Sequence, residues 1–179
     1  MRAKGGGKSF LIRAREVRRR LQYPETTGLI IRKTYPELVS NHIRMFLQEY
    51  PIAQNSRDFN DSKHIGYFSG GQKIIEWING SITEFSYLKG TNDVWTYQGR
   101  EYEDISIDEI TQHEELVFKI LRSSNRTANE EFTKAGGIVT MMLTGNPGGI
   151  GHGWAKRLFI DRSFTKNENP DDFDFVQAM

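Results

Sequence analysis

Five residues near the start of the chain, Gly5-Gly6-Gly7-Lys8-Ser9, have the composition of a loop that holds phosphate. Backbone N–H groups can surround phosphate oxygens only where no Cβ blocks the approach, and glycine supplies that opening. A helix that follows such a loop adds unsatisfied N-terminal N–H groups and the positive end of its dipole. In that setting Lys8 reaches the β- and γ-phosphates of a nucleoside triphosphate, and the Ser9 hydroxyl ligates Mg²⁺. The match to G-x-x-x-x-G-K-[ST] is imperfect, because Arg2 stands where the first glycine belongs. Only Met1, Arg2, Ala3 and Lys4 precede the glycines, which leaves no room for the strand that usually leads into such a loop. The plainer alternative is a flexible glycine linker ahead of an ordinary helix.

A second cluster is the acidic pair in Glu101-Tyr-Glu-Asp-Ile-Ser-Ile-Asp108-Glu109. An apolar, alternating run delivers two adjacent carboxylates at its carboxyl end, the edge of a parallel sheet where ligands bind. Neighbouring residues leaving a strand point to different sides, so the two acids can divide two tasks. Asp108 would hold Mg²⁺, and Glu109 would polarise the water that attacks a γ-phosphate. Alone, such a pair reads as a solvated acidic turn capping the next helix. Set beside the glycine-lysine-serine loop, the metal-and-water reading prevails.

The third cluster lies in Met141-Met-Leu-Thr144-Gly145-Asn146-Pro-Gly-Gly-Ile-Gly151. A small hydroxyl, Thr144, and an amide, Asn146, follow another apolar run. An amide both donates and accepts, so Asn146 could bond the attacking water or the γ-phosphate and register its loss. An ordinary strand-to-helix turn of Gly and Pro is an equal reading.

These residues need elements to hold them. Phe10, Leu11, Ala14, Val17 and Leu21 recur at helical spacing and predict a helix over 8–21 with an apolar face, its arginines facing out. Residues 28–32 form a buried strand. Thr34 caps a helix that opens at Pro36 and runs to Pro51. Residues 52–72 are polar and poorly periodic. Residues 73–78 and 81–88 flank Asn79-Gly80 as a hairpin with a two-residue type I′ turn. A loop over 90–100 leads to a strand over 102–107, then a helix over 113–121, a strand over 138–143, a helix over 154–160 and a last strand around Phe173 and Phe175. Helices alternating with apolar strands predict an α/β fold with a mostly parallel sheet covered on both faces. The hairpin is its antiparallel addition.

Bulk properties set outer limits. The chain has 179 residues and a formal net charge of +1, enough for one domain and neither a basic coat nor an acidic tail. Without cysteine there are no disulfides or thiolate metal sites. No run approaches the roughly 18 apolar residues of a membrane helix, and no signal peptide opens the chain. This predicts a soluble, cytosolic protein. Arg13, Arg15, Arg18, Arg19 and Arg20 offer contacts to a polyanion or serve solubility. Arg32 and Arg100 are candidates for stabilising transition-state charge. Trp77, Trp95 and Trp154 read as packing residues, with Trp95 and Tyr97 also able to stack on a base. His113 and His152 are not a metal pair.

In order along the chain, these segments resemble the ATPase domain of tailed-phage terminase large subunits. The resemblance runs from AKGGGKSF through LIIRKTYPEL, INGSITEF, NDVWTYQGREYEDISIDEIT and LTGNPGGIGHGWAKRLFI. RKTYPEL and TGNPGG-x-GH-x-W-x-K are its most specific parts. It implies a RecA-like P-loop core and a Mg²⁺-dependent ATPase that drives double-stranded DNA into a procapsid. It implies that Lys4, Gly5, Gly6, Gly7, Lys8 and Ser9 are the Walker A loop binding ATP. Asp108 would be the Walker B aspartate, Glu109 the catalytic carboxylate, and Thr144, Gly145 and Asn146 the coupling motif. The family's first strand, adenine-binding segment and nuclease domain have no counterpart over 1–179, so the chain reads as one partial domain. Implied partners are a terminase small subunit, a portal protein and further copies in a ring, in the cytoplasm of a bacterial host. A catalytically inactive prophage remnant, an interaction module and another P-loop motor such as a helicase are the alternatives.

Overall fold

Leu29-Ile30-Ile31 lie at the centre of the sheet, each with no exposed surface. A strand buried on both faces needs such an unbroken apolar run. The computed structural model describes residues 7–54 and 63–177. Lys4, Gly5 and Gly6 of the expected phosphate loop lie outside the described residues. The strands are β1 (Thr27–Arg32), β2 (Ile52–Ala53), β3 (Gly66–Ser69), β4 (Ile74–Trp77), β5 (Ile82–Tyr87), β6 (Asp104–Ile107) and β7 (Thr140–Leu143). They form one sheet in the order β2-β3-β4-β5-β1-β6-β7. Strands β5, β1, β6 and β7 are parallel, so their carboxyl ends share an edge. β4 is antiparallel to both β3 and β5, and β2 pairs with β3 in parallel.

The helices are α1 (Lys8–Gln22), α2 (Tyr35–Leu38), α3 (Arg44–Glu49), α4 (Glu115–Ser124), α5 (Glu130–Lys134) and α6 (His152–Ala155). A π turn, Val39–Ile43, joins α2 to α3, and another, Lys156–Ile160, extends α6. The α/β expectation holds, with most strand and helix limits within two residues of those predicted. Strands β2 and β3 fall in the stretch read as polar and aperiodic. Two and four residues are too few for a period to show. The hairpin turn also differs. Gly80 has φ +81°, Asn79 is not left-handed, and the Gly80 N–H donates to the Trp77 carbonyl at 3.0 Å. The loop is therefore three residues, 78–80, ending in a left-handed glycine, as a longer hairpin turn requires. No strand forms at 173–177: a 3-10 turn over 170–172 leads into Phe173, which plugs an aromatic cluster with Phe118, Phe159 and Phe164.

Strand alternation sorts the core. Leu29, Ile31, Ile105 and Ile107 face α4 and the 3-10 turn Thr91–Tyr97, packing with Val117, Leu121 and Val94. Ile30 faces the other side, with Ile12, Leu38, Phe46 and Phe85. On that second side β6 presents Asp104, Ser106 and Asp108, all nearly without exposure. This polar stripe decides how α1 docks, and it overturns the predicted orientation of the helix. Phe10 and Leu11 are each 55% exposed, whereas Arg13 and Arg20 are buried. Asp104 Oδ1 lies 2.8 Å from Arg15 and 2.5 Å from Arg19, and its Oδ2 bonds Arg20. Arg13 forms a two-pronged pair with Glu49 of α3, at 2.7 and 2.6 Å. Of the five arginines considered for a polyanion, only Arg18 is exposed. Glu16, fully buried, accepts the Thr83 hydroxyl at 2.7 Å and lies 3.3 Å from Arg20.

Trp77 and Trp154 are packing residues as expected; their indoles donate to Thr83 and to the His113 carbonyl at 3.0 and 2.9 Å. Trp95 is 48% exposed, while Tyr97 is buried with its hydroxyl on Ser86. Among the described residues no helix is long and apolar enough to cross a membrane.

Two predictions test this docking, and a third tests a buried histidine. A Cβ at Gly28 would come within 2.0 Å of Glu16 Oε1. Gly28→Ala should cost about 1–3 kcal/mol in urea unfolding, and together with Glu16→Ala less than the two costs added. Asp104→Asn leaves three guanidiniums facing a neutral amide and should cost about 3–5 kcal/mol in the same assay. The third concerns His113, which is 1% exposed with neither ring nitrogen partnered among the described residues. Burial, then the charge of Lys33, lowers its pKa to about 4. Folding thus favours the neutral ring. That contribution is complete above the ordinary value of 6.5 and is lost as pH falls through 4. Between those limits wild type should lose roughly 3 kcal/mol more than His113→Phe, read from urea midpoints at each pH.

Candidate functional site

The register of β6 with β7 builds the centre of the site. Asp104 pairs with Thr140 and Ile107 with Leu143, so Asp108 meets Thr144 one step beyond both strands. The Thr144 hydroxyl donates to Asp108 Oδ1 at 2.5 Å. Helix α1 begins at Lys8, directly after Gly7, whose φ of +72° is a left-handed conformation that glycine adopts without strain. Its first turn therefore points at the carboxyl edge. The Ser9 hydroxyl donates to Asp108 Oδ2 at 2.8 Å. Lys8 Nζ donates to the Gly145 carbonyl at 3.1 Å and to Asn146 Oδ1.

Glu109 sits at φ 62°, ψ 52°, left-handed for a residue with a side chain. Backbone in this region is costly and tends to persist at functional sites. The Asn146 amide donates to Glu109 Oε1 at 2.7 Å. Asn146 thus links Lys8 to Glu109. A cation can only donate and a carboxylate only accept, which fixes the amide with its oxygen toward Lys8.

The structure therefore gathers Gly7, Lys8, Ser9, Asp108, Glu109, Thr144, Gly145 and Asn146 at one edge. Beside them opens a cleft of about 440 Å³ lined by Arg32, Glu37, Glu109, Thr111, Asn146 and Gly149, among others. Arg32 belongs to it: its Nε is 3.5 Å from Asp108 Oδ2, and its Nη1 has no hydrogen-bond partner among the described residues. Arg100 does not. It lies 3.1 Å from Glu84 and 3.3 Å from the Tyr102 hydroxyl, before β6 begins. His113 is buried.

Two contributors were not legible. His42 Nε2 lies 2.9 Å from Asp108 Oδ2, carried there by the π turn, which has no sequence signature. Thr111 donates to the Asn146 carbonyl at 2.9 Å and so fixes the turn that carries the amide. Its position two residues after Glu109 was the available clue.

Burial pushes the Asp108 carboxyl upward, but hydrogen bonds from His42 and Thr144, with the positive charge of Arg32, outweigh it and hold the group well below the usual carboxylate range. Burial lowers the His42 pKa, and because an ionised carboxylate can only accept, Nε2 carries the hydrogen in its contact with Asp108. Among the described residues no group of three or more His, Cys, Asp or Glu could hold a metal by itself. One hydroxyl and one ionised carboxylate, Ser9 and Asp108, fit Mg²⁺, which keeps waters and takes its remaining oxygens from phosphates.

No protein-family model and no curated protein matches the chain. Among solved structures, it is similar to the large terminase ATPase domain of Thermus phage P74-26, with a TM-score of 0.51 and 13% sequence identity over 96% of this chain and 70% of that one. At this identity the likeness is one of fold: an α/β sheet flanked by helices, shared with a phage terminase ATPase domain.

Proposed function

We propose that the chain is a Mg²⁺-dependent P-loop ATPase domain of a terminase-like DNA-packaging motor. One observation carries the reading. At a single sheet edge the Ser9 hydroxyl of the loop meets Asp108 directly, and the Lys8 ammonium meets Glu109 through Asn146.

On this reading Lys4 to Ser9 wrap the triphosphate, and the open N-terminus of α1 receives its charge. Lys8 exchanges the Gly145 carbonyl and the Asn146 oxygen for β- and γ-phosphate oxygens. Ser9 and Asp108 would hold Mg²⁺, which neutralises charge between those phosphates. Glu109 orients a water toward the γ-phosphorus. As the water oxygen bonds to phosphorus, its proton passes to the carboxylate and the bond to the bridging β,γ-oxygen breaks, releasing ADP. Arg32, at the cleft wall with a free guanidinium nitrogen, is the candidate to meet charge on the transferred group. Once Lys8 lets go, the Asn146 amide is held, among the described residues, by Glu109 alone. Loss of the γ-phosphate reverses the exchange, and the turn from Thr144 to Gly151 registers it.

The same reading assigns double-stranded DNA, a terminase small subunit and a portal protein as partners, in a ring of copies within the bacterial cytoplasm. Of the five α1 arginines, four are tied to Asp104 or Glu49, which leaves Arg18 as the one placed to meet DNA.

Glu109→Gln should keep the fold, its thermal midpoint and its binding of ATP with Mg²⁺, while steady-state turnover falls about 10²–10⁴-fold. Equal turnover in the variant and wild type would remove Glu109 from catalysis.

A further inference from the structure

Asp108 is gripped by one residue for which phosphate chemistry gives no reason. His42 has no exposed surface, lies in sequence among the buried apolar Leu38, Ile43 and Phe46, and feels Asp108, Arg13 and Arg32. Its Nδ1 has no partner among the described residues. A buried polar atom left unpaired is costly, so an apolar side chain of similar size would serve packing better. What the imidazole adds is the contact from Nε2 to Asp108 Oδ2 at 2.9 Å. The π turn, Val39–Ile43, widens the helix where His42 must reach the sheet edge, and such turns gather at functional sites.

We propose that His42 is a positioning residue for Asp108, fixing the carboxylate for a divalent cation through an Nε2–H bond to Oδ2. This rests on the reading of Asp108 as the cation-holding acid. A carboxylate at a strand end has two side-chain torsions to fix. Thr144 holds Oδ1, and Ser9 and His42 hold Oδ2. When Ser9 turns its oxygen toward a cation, its hydroxyl hydrogen leaves Oδ2. Thr144 and His42 then remain, one on each oxygen. The helices behind His42 are braced as well. Glu49, at the end of α3, grips Arg13 of α1, so the two helices are tied to each other at Arg13–Glu49 and through Asp108 at Ser9 and His42. His42 therefore matters most when the cation is present.

The test uses the full chain and Mn²⁺, read by electron paramagnetic resonance, titrated in the presence of ADP. Binding of a fluorescent ADP analogue in chelator is measured alongside. His42→Leu should weaken Mn²⁺ binding about tenfold or more, in the range seen when a partner of a metal ligand is lost. Its metal-free ADP binding should stay within about twofold of wild type, since the phosphate-binding loop is untouched. His42→Gln, whose amide reaches about as far as Nε2, should recover most of the affinity. If His42→Leu unfolds at the assay temperature, His42→Phe carries the same measurement. Unchanged Mn²⁺ affinity in the apolar variant overturns the proposal, as does an equal loss of ADP binding without metal, or a failure of His42→Gln to recover. Absence of an ADP-dependent Mn²⁺ site in wild type would instead sink the ATPase reading, and this proposal with it.

Discussion

The structure turns on two aspartates four residues apart on one strand. Strand alternation puts Asp104 and Asp108 on the same face, and four residues of extended chain separate them by about 13 Å. Helix α1 lies over that face. From Ser9 to Arg19 or Arg20 it rises about 15–17 Å, so its two ends reach the two carboxylates together. Ser9 meets Asp108, and Arg15, Arg19 and Arg20 meet Asp104. The parallel partner β7 repeats the pattern, with Thr140 on Asp104 and Thr144 on Asp108. One end is thus an ionic lock and the other, on the proposed reading, an ion site, set apart by what faces them. Three guanidiniums crowd Asp104. Hydroxyls, an imidazole and one more distant guanidinium surround Asp108. The lock fixes the register of α1 and therefore the place of Lys8 and Ser9.

This explains why the site was readable and the helix orientation was not. Lys8, Ser9, Asp108, Glu109, Thr144 and Asn146 each sit at an element end marked by glycine or by a change of period. Those marks are local. Which face of α1 turns inward depends on what the sheet offers, and Asp104 is eighty-eight residues and several elements away from Glu16, outside any reading of one segment. By apolar spacing alone, Phe10, Leu11 and Leu21 belonged inside; all three are exposed. A clue was present: Glu16 stands alone among arginines, and Asp104 interrupts an otherwise apolar alternation. Pairing them requires the topology first. The same holds for β2 and β3, held by neighbours rather than by their own pattern, and for His42, aimed by a π turn.

Asn146 shows how a site can carry a signal through one amide. With its oxygen toward Lys8 and its nitrogen on Glu109, it separates opposite charges that would otherwise pair directly. On the proposed reading, a direct Lys8–Glu109 pair would have to be broken by every incoming triphosphate. Through the amide, each charge gives up only one hydrogen bond. The residue is exposed while its carbonyl is pinned by Thr111, so the side chain can turn without displacing the backbone.

The left-handed turn at Glu109 is what makes the acidic pair usable. Had the strand continued its alternation, Glu109 would point opposite to Asp108, toward the core of Ile107, Ile110 and Val117. An ionised carboxylate there would be buried without a partner, a cost of several kcal/mol. Turning left-handed costs about 1–2 kcal/mol for a residue with a Cβ. The smaller cost is offset locally: the Ile110 N–H donates to the Thr144 carbonyl at 2.7 Å, and the Glu109 N–H lies 3.4 Å from the Thr144 hydroxyl. Thr144 therefore does two things at once, holding Asp108 from its side chain and the kink from its backbone. Coupling between the two acids needs no longer path than this one residue, and it is the first of the turn that carries Asn146.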